Sequence, residues 1–117
     1  MLDAVSVPPA YMAQVVPTPG EPWPYWRKAG LVVRANRGPV TITVPSAWRH
    51  RVAIGWGSPG GEYSVVRIAR CPPQGDAWGN AYAGGFSLRS RSACVPLVFS
   101  VGGRSATVRF GVGRRCA

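Results

Sequence analysis

Cys71, Cys94 and Cys116, the single His50, and the four acids Asp3, Glu21, Glu62 and Asp76 are the residues of this chain suited to covalent or proton-transfer chemistry. A Ser-His-Asp arrangement would need Asp3, Asp76 or a Glu in place of Asp to orient His50, which sits in "AWRHRV" between Arg49 and Arg51. Asp76 lies in "CPPQGDAWGN", a run of turn residues where capping or an Asx-turn is the expected task. Glycoside hydrolysis would have to pair Glu62 with Asp76, and nothing in their spacing brings them together. Zinc is a poor fit, because no CxxC exists and three scattered thiols with one distant histidine lack ligand spacing. No P-loop or dinucleotide fingerprint occurs; "GVGRR" follows a strand but opens no helix. Cys71 or Cys116 as a nucleophile would need a neighbouring base or partner thiol. The expectation is a protein without catalysis, metal or cofactor.

The thiols suit a structural role better. "CVPLVFSVGGRSATVRFGVGRRC" carries a cysteine at each end of an alternating apolar stretch. In an up-and-down hairpin, Cys94 opens one strand and Cys116 trails the other, so both lie at the same end. A disulfide closing that loop of about 22 residues stabilises the fold by ~3 kcal/mol on a chain-entropy estimate. In the register set out below Cys94 faces Gly111, so the tail must bulge or fold back to deliver Cys116. Cys71 is the rival partner, reached across the sandwich. An odd number of cysteines leaves at least one without an internal partner. A disulfide implies an oxidising compartment.

Binding residues are the next candidates. Five tryptophans are many for 117 residues. Trp56 is core by parity, Trp48 covers a strand end, and Trp78 plugs a loop. Trp23 and Trp26, in "EPWPYWRKAG", are the best placed to stack on sugars or unpaired bases, although a lead-in docked on the body accounts for them equally well. The charge is lopsided, with 14 basic residues against 4 acids and a net charge of +10. From Arg27 onward all the cations face Glu62 and Asp76 alone. Such an excess attracts polyanions. Arg109, Arg114 and Arg115, joined by Arg89 and Arg91, would make one basic patch, against which a plain solvated face competes. No recognition helix or RNP pattern supports a standard nucleic-acid module.

These residues need a scaffold, and composition says which. With 15 Gly and 12 Pro, the chain favours turns over helices. Residues 1–26 read as a Pro- and aromatic-rich irregular lead-in. Residues 27–117 read as one antiparallel β domain. Within it "LVVRA", "GPVTITVP", "RVAIGW", "EYSVVRIAR" and "AYAGGFSL" form strands, the last weakened by Gly84 and Gly85, with a turn at "SPGG". A two-residue turn at Gly102-Gly103 would set Val101 opposite Arg104, Phe99 opposite Ala106, Leu97 opposite Val108 and Val95 opposite Phe110. Every inward residue then meets an inward residue. About seven short strands without an amphipathic helix predict an all-β fold, an antiparallel β-sandwich or small barrel.

Together, "YWRKAGLVVR", "VPSAWRHRVAIGWG", "ARCP", "YAGGF", "ACVPL" and "RFGVGRRC" resemble short uncharacterised secreted or envelope-associated β proteins of high-GC bacteria, across about residues 25–116. The resemblance implies a secreted β protein and carries no activity with it. No run reaches the ~18 apolar residues of a membrane helix. "MLDAVSVPPAYMAQVV" has no basic start and only a broken apolar run, so a signal segment is expected outside this sequence. The expected function is a non-catalytic extracytoplasmic binding or structural module of the cell envelope. Its expected partners are anionic envelope polymers or another protein, and the alternative is a small basic nucleic-acid-binding protein.

Overall fold

Proline and glycine cut this chain into short extended segments, and the apolar alternations between them become strands. A computed structural model describes residues 3–57, 60–75 and 77–117. The strands are β1 (Val5–Ser6), β2 (Tyr11–Met12), β3 (Val16–Pro17), β4 (Tyr25–Lys28), β5 (Leu31–Arg34), β6 (Val40–Thr43), β7 (Val52–Trp56), β8 (Val65–Ile68), β9 (Gly79–Tyr82), β10 (Gly84–Leu88), β11 (Ala93–Val101) and β12 (Arg104–Val112). One 3-10 turn, Ser46–Trp48, precedes β7, and no α-helix occurs among the described residues. The fold is an all-β sandwich of three sheets: β1-β5-β9, β3-β4-β10-β7 and β2-β12-β11-β6-β8. Among the named strand pairs, only β2 with β12 is parallel.

The closing hairpin forms in the expected register, Val95 opposite Phe110 through Val101 opposite Arg104. Gly102 and Gly103 take φ of 56° and 80°, the left-handed backbone that a tight hairpin turn of this hand requires. Val95, Leu97, Phe99 and Phe110 are buried, while Ser105, Thr107 and Arg109 are exposed. Cys94 does face Gly111, and the tail resolves the mismatch by folding back. Gly113 turns with φ 77°, and residues 114–116 lie against Gly111, where a Cβ would overlap the Arg114 carbonyl oxygen. Cys116 thereby bonds to Cys94 across a Cα separation of 5.1 Å. Cys71 keeps a free, half-buried thiol.

Aromatic rings join the two larger sheets. Phe86 on β10 meets Phe110 on β12 at 5.6 Å between centroids, and Trp56 meets Phe86 edge-on at 5.7 Å. Phe99 extends the row to Phe110 at 6.3 Å. The indole N–H of the buried Trp56 donates to the Ala29 carbonyl at 2.9 Å, which satisfies its one polar atom. Arg27, opposite Phe86, is half-buried. Its Nη1 donates to the Lys28 carbonyl at 2.8 Å, while its Nε is buried without a hydrogen-bond partner among the described residues.

Three segments differ from their sequence-based outline. "AYAGGFSL" is two strands in different sheets: β9 pairs with β5, whereas β10 lies between β4 and β7. Gly84 and Gly85 permit the crossing, because a Cβ on either would overlap a carbonyl oxygen, of Gly55 or Arg27 respectively. All five residues of β7 are buried, so both its faces are covered rather than one. Residues 3–26 supply β1, β2 and β3, one in each sheet, and start β4, across the boundary drawn at 26/27. Ala4, Val5 and Met12 are buried in the core. Two-residue strands are too short to show a period-two pattern, so this weaving leaves no periodic trace. In the turn expected at "SPGG", Ser58 and Pro59 lie outside the described residues.

The disulfide prediction follows directly. Denaturant unfolding of the Cys94→Ser/Cys116→Ser double variant should show a loss of about 3 kcal/mol, the entropy of a 22-residue separation. Alkylation of the native protein without reductant should add a single label, at Cys71.

Candidate functional site

A hollow forms on the outer face of the β3-β4-β10-β7 sheet, and side-chain alternation explains it. Phe86 and Leu88 turn into the core, so Gly85 and Ser87 turn outward. Ser87 is flanked by Trp26 on β4 and Ala53 on β7, and Gly85 by Lys28 and Gly55. Small residues on β10 and β7 leave a floor, with the large Trp26 of β4 at its side. Ala53 is buried yet stands outside the main core cluster, as a residue covered from the outer face should.

The β3–β4 hairpin builds one wall. Thr18-Pro19-Gly20-Glu21 is a type II turn: the Glu21 amide donates to the Thr18 carbonyl at 3.2 Å, and Gly20 takes φ 84°. The Thr18 amide donates to the Pro24 carbonyl at 2.8 Å, and its hydroxyl to the Trp23 carbonyl at 2.6 Å. These bonds hold Glu21 and Trp23 at the edge of the hollow. Residues 60–63 build the facing wall. Tyr63 exchanges two backbone hydrogen bonds with Ile54, each 2.8 Å. Gly61 crosses Gly55 so closely that a Cβ there would overlap the Gly61 carbonyl oxygen.

The result is a cleft of about 310 Å³, lined by Trp23, Tyr25 and Trp26 with Thr18, Gly61 and Ser87, and rimmed by Glu21 and Glu62. Two of the four carboxylates of a strongly basic chain thus meet at one cleft. Ser87 is only 5% exposed and is the buried polar residue of the sheet. Ser87 lines the cleft, its side chain turned to the outer face of β10.

Basic residues gather at the adjoining end of the sandwich. Arg89 lies over the Trp23 ring at 4.1 Å and donates from Nη1 to the Pro22 carbonyl at 2.6 Å. Its backbone amide donates to the Arg51 carbonyl at 3.1 Å, and Arg51 lies over Trp48 at 3.9 Å. Arg91 follows in the same turn, and its carbonyl packs against Gly113 beside Arg114. Arg115 is turned onto Tyr11 at 4.4 Å. Arg109 lies on β12, opposite Pro96. Of the arginines outlined from sequence, Arg89 is joined through its backbone to Arg51, and the Arg91 carbonyl lies against Gly113, next to Arg114 in the chain.

Other candidates fall elsewhere. Trp23 and Trp26 come together in the cleft. Trp48 packs on the core edge, Trp56 is buried, and Trp78 is 50% exposed, with Arg34 5.9 Å from its ring. His50 is exposed on the turn beside Arg51. Asp76 lies outside the described residues, and so does its pairing with Glu62 or His50. Among the described residues, no group of three His, Cys, Asp or Glu side chains is placed to hold a metal ion.

A wider concavity of about 590 Å³ surrounds Cys71. The Asn80 amide nitrogen donates to the Pro72 carbonyl at 3.1 Å, tying the proline loop to β9. The Tyr82 hydroxyl donates to the Cys71 sulfur at 3.9 Å. Burial, then that hydrogen bond, then the thiolate charge hold the Tyr82 phenol above its usual range.

No known protein family, curated protein or solved structure matches this chain.

Sequence reasoning reached Trp23, Trp26 and Arg89 as binding residues and weighed Glu21 and Glu62 for catalysis alone, but did not place Tyr25, Ser87 or Arg51 at a site. "TPGE" was the available signal, since Pro then Gly inside four residues specifies the turn that presents Glu21. Ser87 had no local signal; its place depends on which way Phe86 points.

Two outcomes test this geometry. Gly55→Ala should displace residues 60–63 and cost about 1–3 kcal/mol in denaturant unfolding, the range for overpacking. Tyr82 should ionise above the ~10 typical of tyrosine in an ultraviolet titration. Its neutral form is favoured by the fold, so its contribution to stability is complete below that value and is lost as pH rises through the folded one. Cys71→Ala should bring the titration only part of the way back, because burial is the largest cause.

Proposed function

We propose that this protein is a non-catalytic extracytoplasmic binding module of the cell envelope, and that its cleft takes a saccharide unit of an envelope polymer. The observation that carries this reading is one cleft that brings Trp23 and Trp26 together with Glu21, Glu62 and the polar Ser87, a residue only 5% exposed. A pyranose ring has an apolar C–H face and a rim of hydroxyl groups. Indole rings accommodate the face, and carboxylates and a serine hydroxyl accept or donate along the rim. Glu21 and Glu62 supply acceptors where such hydroxyls would lie. The volume, about 310 Å³, is at the small end of ligand sites and suits a single ring.

The compartment is read from the Cys94–Cys116 disulfide, since such bonds persist where the surroundings oxidise. A second reading, single-stranded nucleic-acid binding, draws on the arginine–aromatic stacks. Two carboxylates at the cleft mouth weigh against it, because they repel phosphates from the aromatic platform.

Calorimetric titration with a neutral β-1,4-linked glucose tetramer tests the proposal. Binding should respond little to salt, and Trp26→Ala should weaken it by about tenfold or more, as loss of a stacked ring does. Glu62→Gln, an exposed site, should weaken it without altering thermal stability. Absence of saccharide binding, with oligothymidine bound and released steeply by salt, would establish the nucleic-acid reading instead.

A further inference from the structure

Trp23 is used twice. One part of its surroundings is the cleft, with Glu21, Trp26 and Ser87, and its ring also carries the Arg89 guanidinium at 4.1 Å. The cleft and the basic end of the molecule are therefore continuous through one indole. Arg89 does not float there. Its Nη1 is held by the Pro22 carbonyl at 2.6 Å, within the hairpin that carries Trp23. Its backbone is tied to that of Arg51 at 3.1 Å, and Arg51 is itself laid on Trp48 at 3.9 Å.

A guanidinium stacked on a ring keeps its N–H donors in its own plane, where they point sideways. Arg89 commits one nitrogen to Pro22 and retains the rest; Arg51 has no side-chain hydrogen bond among the described residues. The two residues are adjacent through their backbones, and each fork, pre-oriented on its own ring, suits the paired oxygens of a carboxylate or phosphate. Arg49 and Arg91, both exposed in the same two turns, raise the positive potential around them.

We propose that the saccharide taken by the cleft carries an acid group, and that Arg89 with Arg51 binds that group beside Trp23. This rests on the saccharide reading above and deepens it to an acidic glycan. The site is bipolar: carboxylates of the protein meet hydroxyls in the cleft, and arginines meet the ligand's charge at its edge. That order separates an acidic sugar from a nucleic acid, whose phosphates flank every base and would meet Glu21 and Glu62 as well.

The test compares three probes by calorimetry: the neutral glucose tetramer, the same tetramer bearing a 6-phosphate, and its glucuronate counterpart. The expected result is preference for an acidic probe over the neutral one by about tenfold at low salt, shrinking as salt rises. Whichever acidic arm binds more tightly tells phosphate from carboxylate as the source of the charge. Arg51→Gln, outside the cleft lining, should abolish the preference and leave neutral binding unchanged. Arg89→Lys should retain part of it, having charge without the fork. Equal binding of all three probes overturns the acid site while the saccharide reading stands. Loss of neutral and acidic binding alike in Arg51→Gln, with thermal stability intact, also overturns it. Failure of every saccharide overturns both, and oligothymidine binding lost in Arg51→Gln would then assign the arginines to nucleic acid.

Discussion

The contact of Phe86 with Phe110, 5.6 Å between ring centres, is the constraint from which the rest of this molecule follows. It joins the four-stranded to the five-stranded sheet and fixes which way β10 faces. Side chains on a strand alternate, so Phe86 inward forces Ser87 outward. A one-residue slip of β10 would place the serine in the core and a phenylalanine in the cleft. Trp56 and Phe99 brace the same pair from either side, at 5.7 Å from Phe86 and 6.3 Å from Phe110. The floor of the cleft is thus the reverse side of the best-packed part of the core. That is a sound arrangement for a binding surface, because rigid strands hold position better than loops do.

What could be read in the sequence was what period two makes visible. β11 and β12 are nine residues each, long enough for parity to define the register, and Gly102-Gly103 supplied the turn. The fold class followed from the same signal repeated in shorter pieces. β1, β2 and β3 stayed hidden because two residues carry no period. The break at Ala83 stayed hidden for another reason: the glycines were visible as weak points, but which carbonyls they admit depends on strands far away in sequence. The cleft was half legible. Dense aromatics at 23–26 were conspicuous, and their polar companions at 21, 62 and 87 are assembled only by tertiary contact.

The charge of this protein also has a structure that counting does not show. Four arginines lie over aromatic rings, among them Arg51 at 3.9 Å and Arg89 at 4.1 Å. Stacking shields part of the guanidinium from water and orders a side chain that would otherwise lose entropy on binding. A net charge of +10 read as a diffuse field is therefore partly a set of fixed, directional donors. The few carboxylates are placed as selectively, with Glu21 and Glu62 at the one cleft that also holds three aromatic rings.

The parallel pairing of β2 with β12 reaches from Tyr11 to Gly111, nearly the whole chain. An early strand is held in place by one made about a hundred residues later. A chain emerging from its N-terminus therefore cannot close this sheet until Val112 has been made, and the earlier segments must wait with their apolar residues unprotected. Such distant pairings slow folding, since a long loop must be closed before any contact rewards it. Slow closure keeps the chain open for longer and leaves it dependent on whatever shields it meanwhile.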